Sequence, residues 1–166
     1  VLYNVPGRTS VTITPETVAT LAQHPNVVAI KEASGSLDAV SQIVGETGPD
    51  FVVLSGDDSL TLPMISVGAR GVISVASNVV PGEVSRLVAL GLRGDVVAAR
   101  QMHHALFPLF RAMFLENNPT AVKTAMDILG LCSDELRLPL VPLSPGNRET
   151  IRQAIAPWIR AGQVAA

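Results

Sequence analysis

Lys31 closes the apolar run Val27-Val28-Ala29-Ile30, and it and Lys123 are the only lysines among the chain's 12 basic residues. A chain that solubilises itself with arginine and carboxylates has little reason to end a strand on a lysine. An ammonium withdrawn from water loses hydration, which favours the neutral amine. A neutral amine is what a Schiff-base lysine must present to a carbonyl. The competing reading is a lysine that snorkels from the strand end into solvent. Tyr3, the only tyrosine, could relay protons during imine formation, since a phenol both donates and accepts. Otherwise it is a core aromatic whose hydroxyl finds a backbone partner. Arg8 follows the Pro6-Gly7 turn, where a guanidinium can clamp a carboxylate through two parallel hydrogen bonds; a solvated loop charge is the alternative. In Gly56-Asp57-Asp58, Asp57 could position a substrate, and Asp58 is read as the cap of the following helix.

These residues need a scaffold that brings them together. Four short apolar runs recur along the first half, Val1–Val5, Val27–Lys31, Phe51–Leu54 and Gly71–Val75. Thr14-Pro15-Glu16 supplies a cap and a first-turn proline for a helix carrying Val18, Leu21 and Ala22. Ser36-Leu37-Asp38 opens a helix with Val40, Ile43 and Val44, and Thr61 to Val67 forms a third, ended by Gly68. Alternating strand and helix, with near-continuous apolar strands, is the pattern of a parallel sheet covered on both faces. Helices then take over, at Pro81 to Leu92, Asp95 to Leu115, Pro119 to Leu129 and about Asn147 to Arg160. Four βα units with a helical tail fit half of a (β/α)8 barrel, and an open doubly wound sheet fits the periodicity almost as well. In either case the reactive groups gather at the C-terminal strand ends. Those ends carry Tyr3, Asn4 and Arg8; Lys31, Glu32 and Ser34; Ser55 to Asp58; and Ile73, Ser74, Ser77 and Asn78.

Composition narrows the alternatives. With 166 residues, 48% of them hydrophobic, the chain can bury a sizeable core. A net charge of −2 without a basic run argues against nucleic acid or an anionic membrane as partner. The single cysteine, Cys132, excludes an internal disulfide and is read as a packing residue. No apolar stretch reaches the roughly 18 residues of a membrane span, and a soluble cytoplasmic protein is expected. Adjacent Asp57 and Asp58 lack further ligands, and His103 and His104 have none at ligand spacing, so no metal is expected. The glycines make no phosphate-binding fingerprint. The chain opens inside a strand-like run without an initiator methionine, as the remainder of a longer protein would.

The segments Tyr3-Asn4-Val5-Pro6-Gly7-Arg8-Thr9, Ala29-Ile30-Lys31-Glu32-Ala33-Ser34-Gly35, Leu54-Ser55-Gly56-Asp57-Asp58 and Gly71-Val72-Ile73-Ser74-Val75 together resemble the dihydrodipicolinate synthase (4-hydroxy-tetrahydrodipicolinate synthase) family. Asn118-Pro119-Thr120-Ala121-Val122-Lys123 and Leu136-Arg137-Leu138-Pro139-Leu140 are similar to the family's C-terminal signature. The resemblance implies a (β/α)8 barrel of the class I aldolase type, of which this chain carries strands five to eight and the C-terminal helices. It implies residues 1–80 as the second half of the barrel and 81–166 as its last helix with the helical region. It further implies that Lys31 forms a Schiff base with pyruvate, whose enamine attacks aspartate semialdehyde on the route to diaminopimelate and lysine. Tyr3 then matches the proton-relay tyrosine and Arg8 the arginine at the semialdehyde carboxylate. Gly56 and Ile73 match positions lining the pyruvate pocket. No cofactor and a homo-oligomer are implied. The alternatives are another pyruvate-dependent aldolase, of the N-acetylneuraminate lyase or keto-deoxy-sugar type, and a non-catalytic half-barrel.

Overall fold

Local capping chemistry fixes where several helices begin. In the computed structural model, which describes residues 1–159, the Thr14 hydroxyl accepts from the Thr17 N–H and starts α2 (Pro15–Leu21). The Ser36 hydroxyl likewise accepts from Ala39 N–H and starts α3 (Leu37–Glu46). Gly68 lies beyond the end of α4 (Thr61–Ser66) at φ 112°, a backbone conformation that favours glycine. The expected third helix therefore stops where its glycine predicted.

The sheet is parallel and three-stranded, in the order β1 (Leu2–Asn4), β2 (Ala29–Glu32), β3 (Val52–Ser55). The fourth apolar run forms no strand. It contributes a single parallel bridge, Ser55 to Val72, made when Ser55 N–H donates to the Gly71 carbonyl and Ile73 N–H to the Ser55 carbonyl. At Val75 the backbone is already helical, at φ −85° and ψ −45°, and leads into the 3-10 turn Ala76–Asn78. The run bends away before a second pair can form. A short helix not expected from the sequence, α1 (Pro6–Thr9), follows β1 directly and ends at Ser10 in the left-handed region, φ 57°.

The described residues form two compact units. The first contains Val1–Ser74 with Arg86–Gln101, and the second Val75–Ser85 with the chain from Met102 onward. The first unit's core is built where the strands meet the helices. Ile30 and Val53 pack with Val18, Val40, Ile43, Met64 and Ala69, flanked by Leu2, Ile13 and Leu60. Because strand residues alternate between faces, Leu2, Ile30 and Val53 face these helices while Tyr3, Lys31 and Leu54 face the other way.

α5 (Pro81–Leu92) and α6 (Val96–Ala112) each carry residues of both units. In the second unit, α7 (Thr120–Ile128) packs on α8 (Pro145–Ile155). Ile128, Ile151 and Ile155 are buried there, as are Leu106 and Leu109 of α6 and Met113 just after it. Arg148 joins α8 to Asp127 at 2.5 Å and to Asp134 at 2.8 Å. Cys132 is exposed rather than a packing residue, because the chain leaves α7 through Gly130 in the left-handed region, at φ 69°. The end of the expected last helix at Arg160 lies outside the described residues.

Candidate active site

Register places Tyr3, Lys31 and Leu54 side by side in one rung of the sheet. The Lys31 Nζ sits over the Tyr3 ring, 4.2 Å from its centroid. An ammonium over an aromatic face is attracted by the ring's quadrupole. Tyr3 is 46% exposed, so it is no core aromatic, and Lys31 is half-buried. This face of the strand ends thus presents the Lys31 amine against the Tyr3 ring, with both residues partly accessible.

The loop after β3 adds the next groups. Gly56 N–H donates to the Glu32 carbonyl at 2.7 Å, drawing β3's end against β2's. A Cβ at Gly56 would stand 2.5 Å from the Ala33 Cβ and 3.1 Å from the Glu32 carbonyl oxygen, so the approach needs glycine. Asp57 follows, half-buried. Burial first, then the Asp58 charge, raises its carboxyl above the ordinary value, while Lys31 acts in the opposite direction and Glu32 adds to the rise. The helix-cap position falls on Asp57 rather than on the expected Asp58; its side chain makes no capping bond, and Asp58 is buried as the first residue of the 3-10 turn Asp58–Leu60. Ile73 is anchored by its backbone to Ser55 and is 42% exposed.

Arg8 is not bonded into this cluster. It lies on α1 with an exposed side chain, and among the described residues no ion pair or hydrogen bond ties its guanidinium to Lys31 or Tyr3. Lys123, outside the cluster, donates from Nζ to the Glu135 carbonyl. His103 is held below its ordinary value by burial and by the neighbouring His104, and it packs edge-on to Phe110. Among the described residues no three His, Cys, Asp or Glu side chains are grouped to hold a metal. No described helix is long and apolar enough to cross a membrane.

The residues just behind this rung had no assigned role in the sequence. Asn4, Glu32 and Ser55 pair in register one position further along the three strands, and they are 2%, 1% and 0% exposed. The available signal was the alternation of faces. Each is a polar residue closing an apolar strand on the helix-facing side, where burial demands hydrogen-bond partners.

Compared with known proteins, the sequence matches the profile of the dihydrodipicolinate synthetase family over residues 1–157. The chain belongs to that family. A 4-hydroxy-tetrahydrodipicolinate synthase of Thermomicrobium roseum is 53% identical over 156 residues, covering 94% of this chain and 52% of that protein. Among solved structures, the 4-hydroxy-tetrahydrodipicolinate synthase of Methylacidiphilum fumariolicum SolV superposes with a TM-score of 0.91 at 52% identity, covering 94% of this chain and 52% of that one. The Acinetobacter baumannii dihydrodipicolinate synthase, described as chloride-inhibited and complexed with pyruvate, superposes at 0.89 with 36% identity, covering 93% and 53%. The chain thus spans about half the length of the curated synthases it matches. Within that span the dihydrodipicolinate synthetase family match takes in all of Tyr3, Arg8, Lys31, Gly56, Asp57 and Ile73.

Proposed function

We propose that Lys31 is the imine-forming amine of a 4-hydroxy-tetrahydrodipicolinate synthase, and that this chain supplies strands five to eight and the C-terminal helices of its (β/α)8 barrel. In this reading residues 1–80 are the second half of the barrel and 81–166 its last helix with the helical region. The observation that carries the reading is the placement of the Lys31 Nζ 4.2 Å from the Tyr3 ring centroid at adjacent strand ends. The family membership and the pyruvate complex of a relative support it.

The neutral Lys31 amine attacks the keto carbon of pyruvate, and loss of water leaves an iminium. Removal of a methyl proton gives an enamine, whose carbon bonds to the aldehyde carbon of aspartate semialdehyde. The amine of the semialdehyde portion then displaces Lys31 at the imine carbon, closing the ring and freeing the lysine. Tyr3's hydroxyl moves the protons that addition and dehydration require. Arg8 receives the semialdehyde carboxylate, Gly56 and Ile73 line the pyruvate, and Asp57 helps position the substrate. Such a reaction needs no cofactor. A homo-oligomer in the cytoplasm completes the reading.

Borohydride reduction in the presence of pyruvate tests it. Peptide mass is expected to locate a reduced pyruvyl adduct on Lys31 and on no other residue, and the Lys31→Ala variant to give none. No adduct, or an adduct elsewhere, overturns the assignment. Assays of semialdehyde condensation beside sialic-acid cleavage separate the synthase from other pyruvate aldolases.

A further inference from the structure

The buried rung behind the lysine has a property that its composition alone does not require. Each of its three side chains bonds to the backbone of the segment that follows its own strand. Asn4 Oδ1 accepts from Ile13 N–H at 3.1 Å, in the segment that leaves α1 and its Arg8. Glu32 Oε1 accepts from Ser34 N–H at 2.5 Å, in the turn just beyond the Lys31 strand. Ser55 Oγ accepts from Asp57 N–H at 3.2 Å and donates to the Asp57 carbonyl at 2.8 Å. Laterally, Asn4 Nδ2 donates to Glu32 Oε2 at 2.8 Å, while the Glu32 carbonyl takes the Gly56 N–H. The connection continues outward, with Ser34 Oγ accepting from Ser36 N–H and Ser36 capping α3.

Glu32 is the centre of this arrangement. It is a fully buried carboxylate with both oxygens occupied by N–H donors, and it takes no part in the chemistry proposed above. A buried acceptor of this kind is costly unless every partner is in place, so the network tolerates few alternative loop conformations. That property suits a site whose groups stand at three adjacent strand ends, because small misplacements of a reacting group cost large factors in rate.

We propose that Asn4, Glu32 and Ser55 are positioning residues that lock the segment after the Arg8 helix, the turn after the Lys31 strand and the Asp57 loop into the geometry for imine formation. This rests on Lys31 as the amine that condenses with pyruvate. The hydrogen-bond polarity of the network gives a specific test, because the amide of Asn4 and the carboxylate of Glu32 can be exchanged in kind. In N4D/E32Q, the carboxylate now at position 4 accepts from Ile13 N–H and from the amide now at position 32. The oxygen of that amide accepts from Ser34 N–H, so all three bonds are restored, the lateral one with reversed polarity. In E32Q alone the new amide meets the Asn4 amide or the Ser34 N–H, donor against donor. In N4D alone two carboxylates face each other.

The test is the rate of borohydride-trapped pyruvyl adduct in the full chain, across pyruvate concentration and pH, for wild type, both singles and the double. Amide hydrogen exchange at Ile13, Ser34 and Asp57 is measured in parallel. Each single is expected to trap about tenfold or more slowly at saturating pyruvate and to lose protection at Ile13 and Ser34. The double is expected to return to within about threefold of wild type with protection regained. Singles that trap at the wild-type rate, or a double that only adds the two losses, overturn the proposal. If wild type forms no adduct, the reading of Lys31 fails. The exchange data then still judge the network, since unprotected Ile13 and Ser34 amides in wild type would overturn it independently.

Discussion

At the scale of single residues, the contact between Lys31 and Tyr3 does two things. The ring face attracts a cation at Nζ, and the iminium of the proposed reaction would again place a cation there, so the contact need not be dismantled as that reaction proceeds. Asp57 completes the local charge pattern, and its raised carboxyl has a consequence for stability. A carboxyl whose folded pKa lies above its unfolded one binds more protons in the folded chain just above its ordinary 3.8. Its stabilising contribution is therefore complete below that value and is lost as pH rises through the folded pKa. Relative to Asp57→Asn, which cannot titrate, wild type is expected to lose stability between acid and neutral pH. Unfolding midpoints of both proteins across that range check this, and a difference independent of pH would contradict it. Lys31, Tyr3 and Asp57 were legible in the sequence because rare or charged residue types at strand ends stand out. Asn4 and Glu32 were visible as residues but not as a unit, since their meaning depends on which loop amide each side chain reaches.

At the scale of elements, helix starts were the most readable feature. Thr14 and Ser36 each place a hydroxyl before a proline or a helical run, and each accepts the N–H three residues on, whereas the last helix, expected from about Asn147, begins at Pro145 behind a Ser144 cap. Local chemistry decides such positions, so a linear reading finds them. α1 escaped because four residues have no periodicity to detect, and its Pro-Gly start reads equally as a turn. The expected fourth strand failed for the opposite reason, since its apolar run is genuine but pairing depends on a backbone course that composition does not encode. Gly68 offers a sharper test of the α3–α4 contact. Its φ is 112°, and a Cβ there would meet Val44 Cγ1 at 2.8 Å. Gly68→Ala is expected to cost about 1–3 kcal/mol, read by denaturant unfolding. Gly82→Ala, in open space at the start of α5, is expected to leave stability unchanged or raise it.

At the scale of the molecule, the two units interleave along the chain, with α5 and α6 each divided between them. Interleaving of this kind leaves no mark in composition, whereas family membership did, because several motifs kept their order and spacing across nearly the whole sequence. Within the second unit the fully buried Ile151 and the Arg148 bridge hold α8 to α7 and the segment after it. Ile151→Ala is expected to cost about 2–5 kcal/mol through the lost burial and the cavity left behind, measured by denaturant unfolding with helix content as the signal. The position of Tyr3 carries one further consequence, for optics. It is the chain's one tyrosine and stands in the first unit, while Trp158, the one tryptophan, stands in the second. Each unit therefore has its own chromophore. Tyr3's absorption reports on what lies against its ring, so binding beside Lys31 can be sought in ultraviolet light without any label, with Trp158 as an internal reference.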